Sequence, residues 1–416
     1  MLNKNEVYFL KKVIDKYSRK QKPSNFVHPL HNNAFTNDDI MRGVEVLLSQ
    51  KITMSDITRE FEYEFAKFVG SKFALMTNSG SSANLLASFA LTNPKKKNKL
   101  QRGDKFIIPA ICWSTSLWPL IQCGLIPKFI DVNKNNFCLD EELLSKETIK
   151  EIRAILAIHI LGNAPNIEKI TSIAKKNNIF LIEDTCEALG SKYKSKFLGT
   201  FGDFGTYSFY YSHQITSGEG GMIVCDSKED YEIIHSLRAH GWDRGLSKNT
   251  KKNKFNFINS GFNLRPLDLT AAIGLSQFKR LKSMMNIRST NRSNIIKNLE
   301  KSNNWNNQYE FFKPNINVSP SWFGLPLLIK NFSTAKKEKF IKYLNNQGIE
   351  TRPILSGNFL NQPSAKLYNL NSDRLTFKNS QFIEDKGFFI GLPTQIMTNK
   401  NLNFLAKTLM NIDKFK

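Results

Sequence analysis

The sequence has few cysteines, no long apolar run and fewer acidic than basic side chains. Its five cysteines (Cys112, Cys123, Cys138, Cys186 and Cys225) are odd in number, scattered and never in a Cys-x-x-Cys pair. That pattern argues against a disulfide framework or a zinc ribbon and favours a reducing cytoplasm. No apolar stretch approaches the about 20 residues that a membrane-spanning helix needs. The first residues are polar and charged throughout, so they do not predict a secretory signal.

What is present is an ordinary globular composition with a strong positive charge. The 416 residues are 41% hydrophobic and 23% charged, which predicts roughly two to three folded domains and excludes a disordered chain. Lysine and arginine number 59 against 36 acidic residues, a formal net charge of +23. Such an excess could bind nucleic acid. Because the lysines cluster in loop-like stretches (95–99 and 248–254), we interpret the charge as solvated surface that attracts anionic small molecules such as nucleotide sugars.

Apolar periodicity divides the chain into three parts. Residues 1–25 form a basic amphipathic extension, which we expect to pack on its own subunit or a neighbour, with docking on a membrane as the alternative. Between 26 and 275, short β-rich runs alternate with helical periodicity, which predicts an α/β domain with a mostly parallel central sheet. Within this part, residues 38–70 are predicted to be helical with a break at 51–55, and residues 204–211 are predicted to form a strand. From 276 to 416, long polar helices and strands near 322–330 and 350–354 predict a smaller α+β domain.

Three motifs carry candidate chemistry. A strand at 73–77 leads into the motif at 78–84, a Ser/Gly turn followed by a helix, whose N-terminus could hold a phosphate, although serine is also an ordinary helix cap. Asp184 ends a hydrophobic strand, where open α/β sheets bind ligands. It could bind a metal, cap a loop or hold a proton on a heterocyclic nitrogen. His213 follows another strand, and a lone histidine is more often structural than catalytic.

Taken together and in this order, the motifs resemble one family, the fold-type-I enzymes dependent on pyridoxal phosphate (PLP), in the sugar aminotransferase group that acts on nucleotide-linked keto sugars. The resemblance runs from about Phe26 to the C-terminus and implies a PLP-binding large domain followed by a small one. It assigns cofactor contacts to Gly80, Ser81 and Ser208 (phosphate), Trp113 (ring stacking), Asp184 (ring nitrogen), Glu187 (ring hydroxyl) and Asn263 (from the second subunit of a homodimer with shared active sites). His240, Arg265 and Arg352 are assigned to the substrate. A core tryptophan at 113 and a surface acid at 187 remain the alternatives.

One residue that differs from the family pattern, His213, indicates which branch of the family the chain resembles. The family's aminotransferases carry a lysine that binds PLP covalently at the position of His213, and Lys196 and Lys228 lie outside the motif. The chain resembles a histidine branch that removes a hydroxyl from GDP-4-keto-6-deoxy-D-mannose. The matching stretches are 109–115, 238–242, 263–266, 321–324 and 352–359. Another histidine branch, acting on a CDP-linked sugar, holds an iron–sulfur cluster on cysteines; residues 241–262 contain none, so we expect no metal.

The resemblance implies a cytoplasmic lyase that couples L-glutamate to C3 dehydration of a GDP-linked 4-keto-6-deoxy sugar. Glutamate would convert noncovalently held PLP to pyridoxamine phosphate (PMP). Asp184 would keep the pyridine nitrogen protonated, and His213 would move the proton at C4′. The product would be a 4-keto-3,6-dideoxy sugar for surface polysaccharide such as lipopolysaccharide O-antigen. The alternatives are a PLP-dependent aminotransferase, which lacks its lysine here, a non-catalytic regulatory homologue and a nucleic-acid binder.

Overall fold

The structure is a computed structural model that describes residues 3–18, 24–31, 35–144, 149–246, 255–370 and 377–415. The strands are β1 Phe73–Thr77, β2 Lys105–Pro109, β3 Ile126–Ile130, β4 Ile152–Ile158, β5 Phe180–Asp184, β6 Lys192–Tyr193, β7 Lys196–Phe197, β8 Phe204–Ser208, β9 Gly221–Cys225, β10 Tyr309–Phe311, β11 Val318–Ser319, β12 Gly324–Ile329, β13 Thr351–Arg352 and β14 Gly387–Gly391. The α-helices are α1 Lys4–Ser18, α2 Asn37–Ser49, α3 Asp56–Val69, α4 Gly80–Leu91, α5 Ser114–Gln122, α6 Ile167–Lys176, α7 Lys228–Arg238, α8 Asp268–Phe278, α9 Leu281–Glu300, α10 Thr334–Asn346, α11 Pro363–Leu367, α12 Lys378–Lys386 and α13 Asn399–Met410.

The large sheet is mostly parallel, which confirms the predicted fold class. Its seven strands follow the order β1-β9-β8-β5-β4-β2-β3, and only β9 pairs antiparallel to its neighbours. The strands consist largely of apolar and β-branched residues because helices cover both faces of such a sheet. Strand β8 is buried at all five positions. The carboxyl ends of β1, β5 and β8 therefore meet at one edge.

Two helix N-termini reach this same edge. Helix α4 begins at Gly80 directly after β1, and its cap residue Ser79 accepts a hydrogen bond from the backbone N–H of Ser82. Helix α5 begins after Trp113. Because a helix N-terminus carries unpaired N–H groups and a partial positive charge, this edge of the sheet favours anions.

The C-terminal part carries a four-stranded antiparallel sheet in the order β10-β12-β14-β13. The predicted strand at 350–354 is only Thr351–Arg352, since Pro353 lacks the N–H that would extend the ladder. Segment 24–31 lies against this sheet: His28 forms a bridge to Ile349, and its Nε2 lies 2.9 Å from the Gly391 carbonyl oxygen. Segment 24–31 thereby connects the N-terminal region to the smaller sheet.

Helix α1 lies on the surface and contacts α2. It buries none of its residues, and Lys11 Nζ pairs with Asp38 Oδ1 at 2.8 Å. A break at 50–55 separates α2 from α3, where the sequence predicts one. None of the described helices is both long and apolar enough to cross a bilayer.

Candidate active site

A cavity of about 830 Å³ opens at the carboxyl edge of the large sheet. Its wall combines this edge with segment 24–31 and with residues of the smaller sheet. The residues assigned from the sequence that line it are Gly80, Ser81, Trp113, Asp184, Glu187, Ser208, His213 and Arg352. The fold therefore brings together side chains that are far apart in the sequence.

The turn at Gly80 leaves no room for a side chain. A Cβ atom at this position would lie 2.6 Å from Ser208 Cβ and 3.0 Å from Cys186 Sγ. Ser81 Oγ lies 2.8 Å from Thr115 Oγ1, so hydroxyl groups surround the first turn of α4. The glycine permits close approach of a ligand, and the helix N-terminus and the hydroxyls supply hydrogen-bond donors. Such an arrangement suits a phosphate group. These residues fit the phosphate of PLP.

Asp184 is held rigidly at the end of β5. The side chain is 4% exposed. Its Oδ2 accepts hydrogen bonds from Asn84 Nδ2 at 2.9 Å and Ser116 Oγ at 2.7 Å, and its Oδ1 accepts one from the Cys186 amide at 3.1 Å. Each carboxylate oxygen can accept more than one hydrogen bond. Asp184 can therefore bind a further donor in the cavity, such as the N–H⁺ of a pyridine ring.

Glu187 has an environment that favours its protonated form. Its pKa is raised to about 8, chiefly by burial; the hydrogen bond from the Leu161 amide opposes this rise, and the nearby charge of Asp184 adds to it. Its Oε2 accepts that amide at 2.9 Å. Glu187 therefore carries a proton over part of the neutral range and can donate it in a hydrogen bond to an oxygen of a ligand. A ring hydroxyl of PLP is such an oxygen.

His213 lies in the turn after β8, which ends at Ser208 rather than at residue 211 as the sequence predicted. Its ring packs edge-on against Phe323, with centroids 5.0 Å apart. Burial, with a smaller effect from the charge of Arg288, lowers the pKa of His213 to about 3. The imidazole is therefore neutral at neutral pH and able to accept a proton. Anionic ligands would raise this pKa, because an opposite charge stabilises the imidazolium.

Trp113 is 53% exposed and lines the cavity, so it is not a core residue. An indole face presented to a cavity can stack on an aromatic ring. Among the described residues that line the cavity, none is a lysine. This wall therefore offers no amine that could bind the aldehyde of PLP.

Three residues assigned from the sequence lie outside this cavity wall: His240, Asn263 and Arg265. They form a separate group, in which Arg265 Nε donates to Asn263 Oδ1 at 3.0 Å and Asn263 bridges to Ala239. The Asn263 side chain is exposed. A role for this group in a shared site therefore requires a second chain, and it stays a prediction.

The structure also gives roles to residues to which the sequence motifs assign none. Asn84 connects Asp184 to Thr206, whose Oγ1 donates to Asn84 Oδ1 at 2.6 Å. Asn84 is the last residue of the motif at 78–84, one helical turn after Gly80, and this motif is the sequence signal for it. His31 lines the cavity, and nothing in its local sequence predicts that position.

Residues 34–402 match the DegT/DnrJ/EryC1/StrS aminotransferase family. GDP-4-keto-6-deoxy-D-mannose 3-dehydratase of Escherichia coli O55:H7 is 36% identical over 392 residues, which cover 92% of this chain and 99% of the relative. The solved structure of the E. coli enzyme with bound hydrated PLP superposes with a TM-score of 0.84 at 33% identity, covering 92% of this chain and 99% of that one. A structure of GDP-4-keto-6-deoxymannose-3-dehydratase with a trapped PLP–glutamate geminal diamine superposes with a TM-score of 0.83 at 33% identity, covering 92% and 100% of the two chains.

Proposed function

The chain belongs to the DegT/DnrJ/EryC1/StrS aminotransferase family, and from this premise we propose that it is a PLP- and PMP-dependent sugar 3-dehydratase. It couples L-glutamate to the removal of the C3 hydroxyl from a nucleotide-linked 4-keto-6-deoxy sugar, with GDP-4-keto-6-deoxy-mannose as the favoured substrate. The product is a 4-keto-3,6-dideoxy sugar of the kind used in surface polysaccharide. The names of the relatives support both the reaction and the GDP group.

The observation that carries the proposal is the histidine in the cavity. His213 stands where the family's aminotransferases have their lysine, and the described residues of the cavity wall include no lysine. The cofactor is then held noncovalently. The Gly80 turn, the held carboxylate of Asp184 and the exposed face of Trp113 fit the phosphate, the ring nitrogen and the ring of PLP. Their preservation argues against a degenerate, non-catalytic homologue.

PLP, when bound, supplies an electron sink for carbanion chemistry. Asp184 stabilises the positive charge on the ring nitrogen, which that sink requires. Glu187 donates its proton in a hydrogen bond to the ring oxygen. The neutral imidazole of His213 takes the proton at C4′ as a general base and can return it to the departing C3 hydroxyl. Phe323 excludes water from one side of this imidazole.

The overall reaction balances without a further reductant. Glutamate gives up its amino group, which leaves as ammonia, and becomes 2-oxoglutarate. The C3 hydroxyl of the sugar leaves as water, which balances the water that hydrolysis of the amino group consumes. Overall, two electrons pass from glutamate to C3 of the sugar.

Two further parts of the proposal concern assembly and organisation. We propose a homodimer in which Asn263 reaches the cofactor phosphate of the second subunit, supported by its exposed position outside the cavity of its own chain. His240 and Arg265 then face the substrate of that second site. The large domain spans 26–275 and the small one 276–416, and the free state of all five cysteines fits a reducing cytoplasm.

The test is a product analysis. The purified protein is incubated with PLP, L-glutamate and either GDP- or CDP-linked 4-keto-6-deoxy sugar, and the sugar product is identified by mass spectrometry. We expect the GDP-linked sugar to lose one oxygen atom, with equal amounts of 2-oxoglutarate and ammonia released. A product with an amine at C4 would instead support the aminotransferase, and an unchanged sugar would refute both. His213→Asn protein serves as the matched inactive control.

A further inference from the structure

A second histidine lies in the cavity wall. His31 belongs to segment 24–31, is 4% exposed and lines the cavity. Its ring packs edge-on against Tyr211, with centroids 5.7 Å apart. Because Tyr211 is two residues before His213, this contact fixes His31 beside the turn that carries the proposed base.

The guanidinium of Arg288 determines which ring nitrogen of His31 carries the proton. Arg288 Nη2 lies 3.1 Å from His31 Nδ1. Arginine has donors only, so Nδ1 must accept this hydrogen bond and the ring proton lies on Nε2. Burial, with a smaller effect from the charge of Arg288, lowers the pKa of His31 to about 3. The ring is therefore a neutral N–H donor at neutral pH.

Arg288 also holds the turn that contains the proposed base. It is 1% exposed, and it donates to the carbonyl oxygens of Trp322 and His213, each at 3.2 Å. These contacts and the one to His31 engage both terminal nitrogens of the guanidinium. Arg288 consequently fixes the positions of His31 and the His213 turn relative to each other.

The Nε2–H of His31 has no acceptor in the part of the chain that the structure describes, although this atom is buried. A buried donor without a partner is unfavourable and rare in native proteins. The cavity beside it is where a ligand would bring the missing acceptor. We infer that His31 donates a hydrogen bond to an oxygen atom of the ligand bound beside His213.

The identity of that ligand rests on the proposed function. The acceptor is either a hexose oxygen of the nucleotide sugar or a carboxylate oxygen of glutamate. Both offer lone pairs to a neutral N–H donor, and both must come close to His213 in their own half-reaction. His31 then selects ligands that carry an oxygen at this position.

Two substitutions separate this donor from the Arg288 contact. His31→Asn keeps an oxygen near the position of Nδ1, where it can accept from Arg288, but removes the donor at the position of Nε2. His31→Gln extends an amide N–H to the position of Nε2. His235→Asn is the matched control, because His235 lies on α7 and outside the cavity wall.

The measurement is calorimetric binding to the PMP-loaded protein with three unreactive probes: GDP-mannose, GDP and glutarate. We expect His31→Asn to weaken binding of GDP-mannose, of glutarate or of both by about five- to tenfold, the effect of one hydrogen bond. GDP binding stays unchanged, and His31→Gln restores most of the loss. Weakening of GDP-mannose alone assigns the acceptor to the hexose, and weakening of glutarate alone assigns it to the carboxylate.

Unchanged affinities for all three probes in folded His31→Asn protein would overturn the inference. So would an equal loss for GDP, because that pattern indicates general damage to the site. If neither variant folds, the wild type decides by nuclear magnetic resonance of the ¹⁵N-labelled histidines. The Nε2–H signal of His31 must then shift on addition of GDP-mannose or glutarate. A signal that shifts with neither probe refutes the assignment.

The proposed function and this inference fail in different ways. A wild type that dehydrates no sugar, yet binds GDP-mannose or glutarate through His31, refutes the proposed function alone. A wild type that dehydrates the sugar, while His31→Asn binds every probe normally, refutes the assignment of His31 alone.

Discussion

Replacement of Asp184 by asparagine separates the charge of this side chain from its shape. An amide oxygen at the Oδ2 position can keep the hydrogen bonds from Asn84 and Ser116, which are 2.9 and 2.7 Å long. The amide nitrogen then faces the Cys186 N–H, so two donors oppose each other. Loss of one buried hydrogen bond costs about 1–3 kcal/mol of the free energy of unfolding. The fold and PMP binding should therefore survive, with a melting temperature lower by a few degrees.

Turnover should respond far more strongly, because an amide cannot stabilise a pyridinium cation. Removal of a principal electrostatic partner costs about hundredfold or more in rate. The assay follows 2-oxoglutarate from glutamate and the dehydrated sugar separately, and PMP binding is titrated in the same preparations. Asp56→Asn is the control, since that side chain is 87% exposed on α3 and should change neither quantity. Near wild-type rates in Asp184→Asn protein would show that Asp184 is not the partner of the ring nitrogen.

Three further predictions test other parts of the site. Gly80→Ala places a Cβ 2.6 Å from Ser208 Cβ, and overpacking of this kind costs about 1–3 kcal/mol. The affinity for PLP should therefore fall about tenfold or more. An unchanged affinity would exclude this turn as the phosphate site. Burial raises the pKa of Glu187 from 4.5 to about 8 in the folded chain. The contribution of the protonated side chain to the free energy of unfolding is therefore fully present below pH 4.5 and is lost as the pH rises through about 8. The melting temperature of cofactor-free Glu187→Gln protein should therefore exceed that of the wild type increasingly with pH, and a constant difference would contradict the raised pKa. Mixed dimers of Asn263→Ala and Asp184→Ala chains should regain activity in one site by complementation, whereas no recovery would refute a site shared between subunits.

Local patterns predicted much of the large sheet. Strand β1 has the predicted bounds 73–77, and the break between α2 and α3 lies where the apolar periodicity stops. Both are set by short-range sequence: buried β-rich runs between turn residues, and a helical stripe interrupted by polar residues. The strand order of the sheet, the β6–β7 pair and strand β14 were not predicted, because they depend on partners distant in the sequence.

In the site too, local sequence patterns predicted some features, whereas others depend on contacts between residues distant in the sequence. The Ser/Gly turn follows β1 and Asp184 ends β5, and both strands have a clear local pattern, so their meeting at the carboxyl edge follows from a parallel sheet. His31 and Arg288 are 257 positions apart and meet only in the fold. The low pKa of His213 likewise depends on its burial and on Arg288, whereas the sequence alone offered only the reference value for histidine.

The central claim is that His213 moves protons in a site that holds its cofactor noncovalently. Borohydride treatment of the PLP-loaded protein, followed by intact-mass measurement, tests it most directly. We predict that wild-type and His213→Asn chains gain no cofactor mass, while His213→Lys gains one cofactor, because a lysine in a desolvated site can lose its charge and bond to PLP. A wild-type chain that gains one cofactor would contradict the account, because another lysine would then hold PLP and the aminotransferase would become the better proposal.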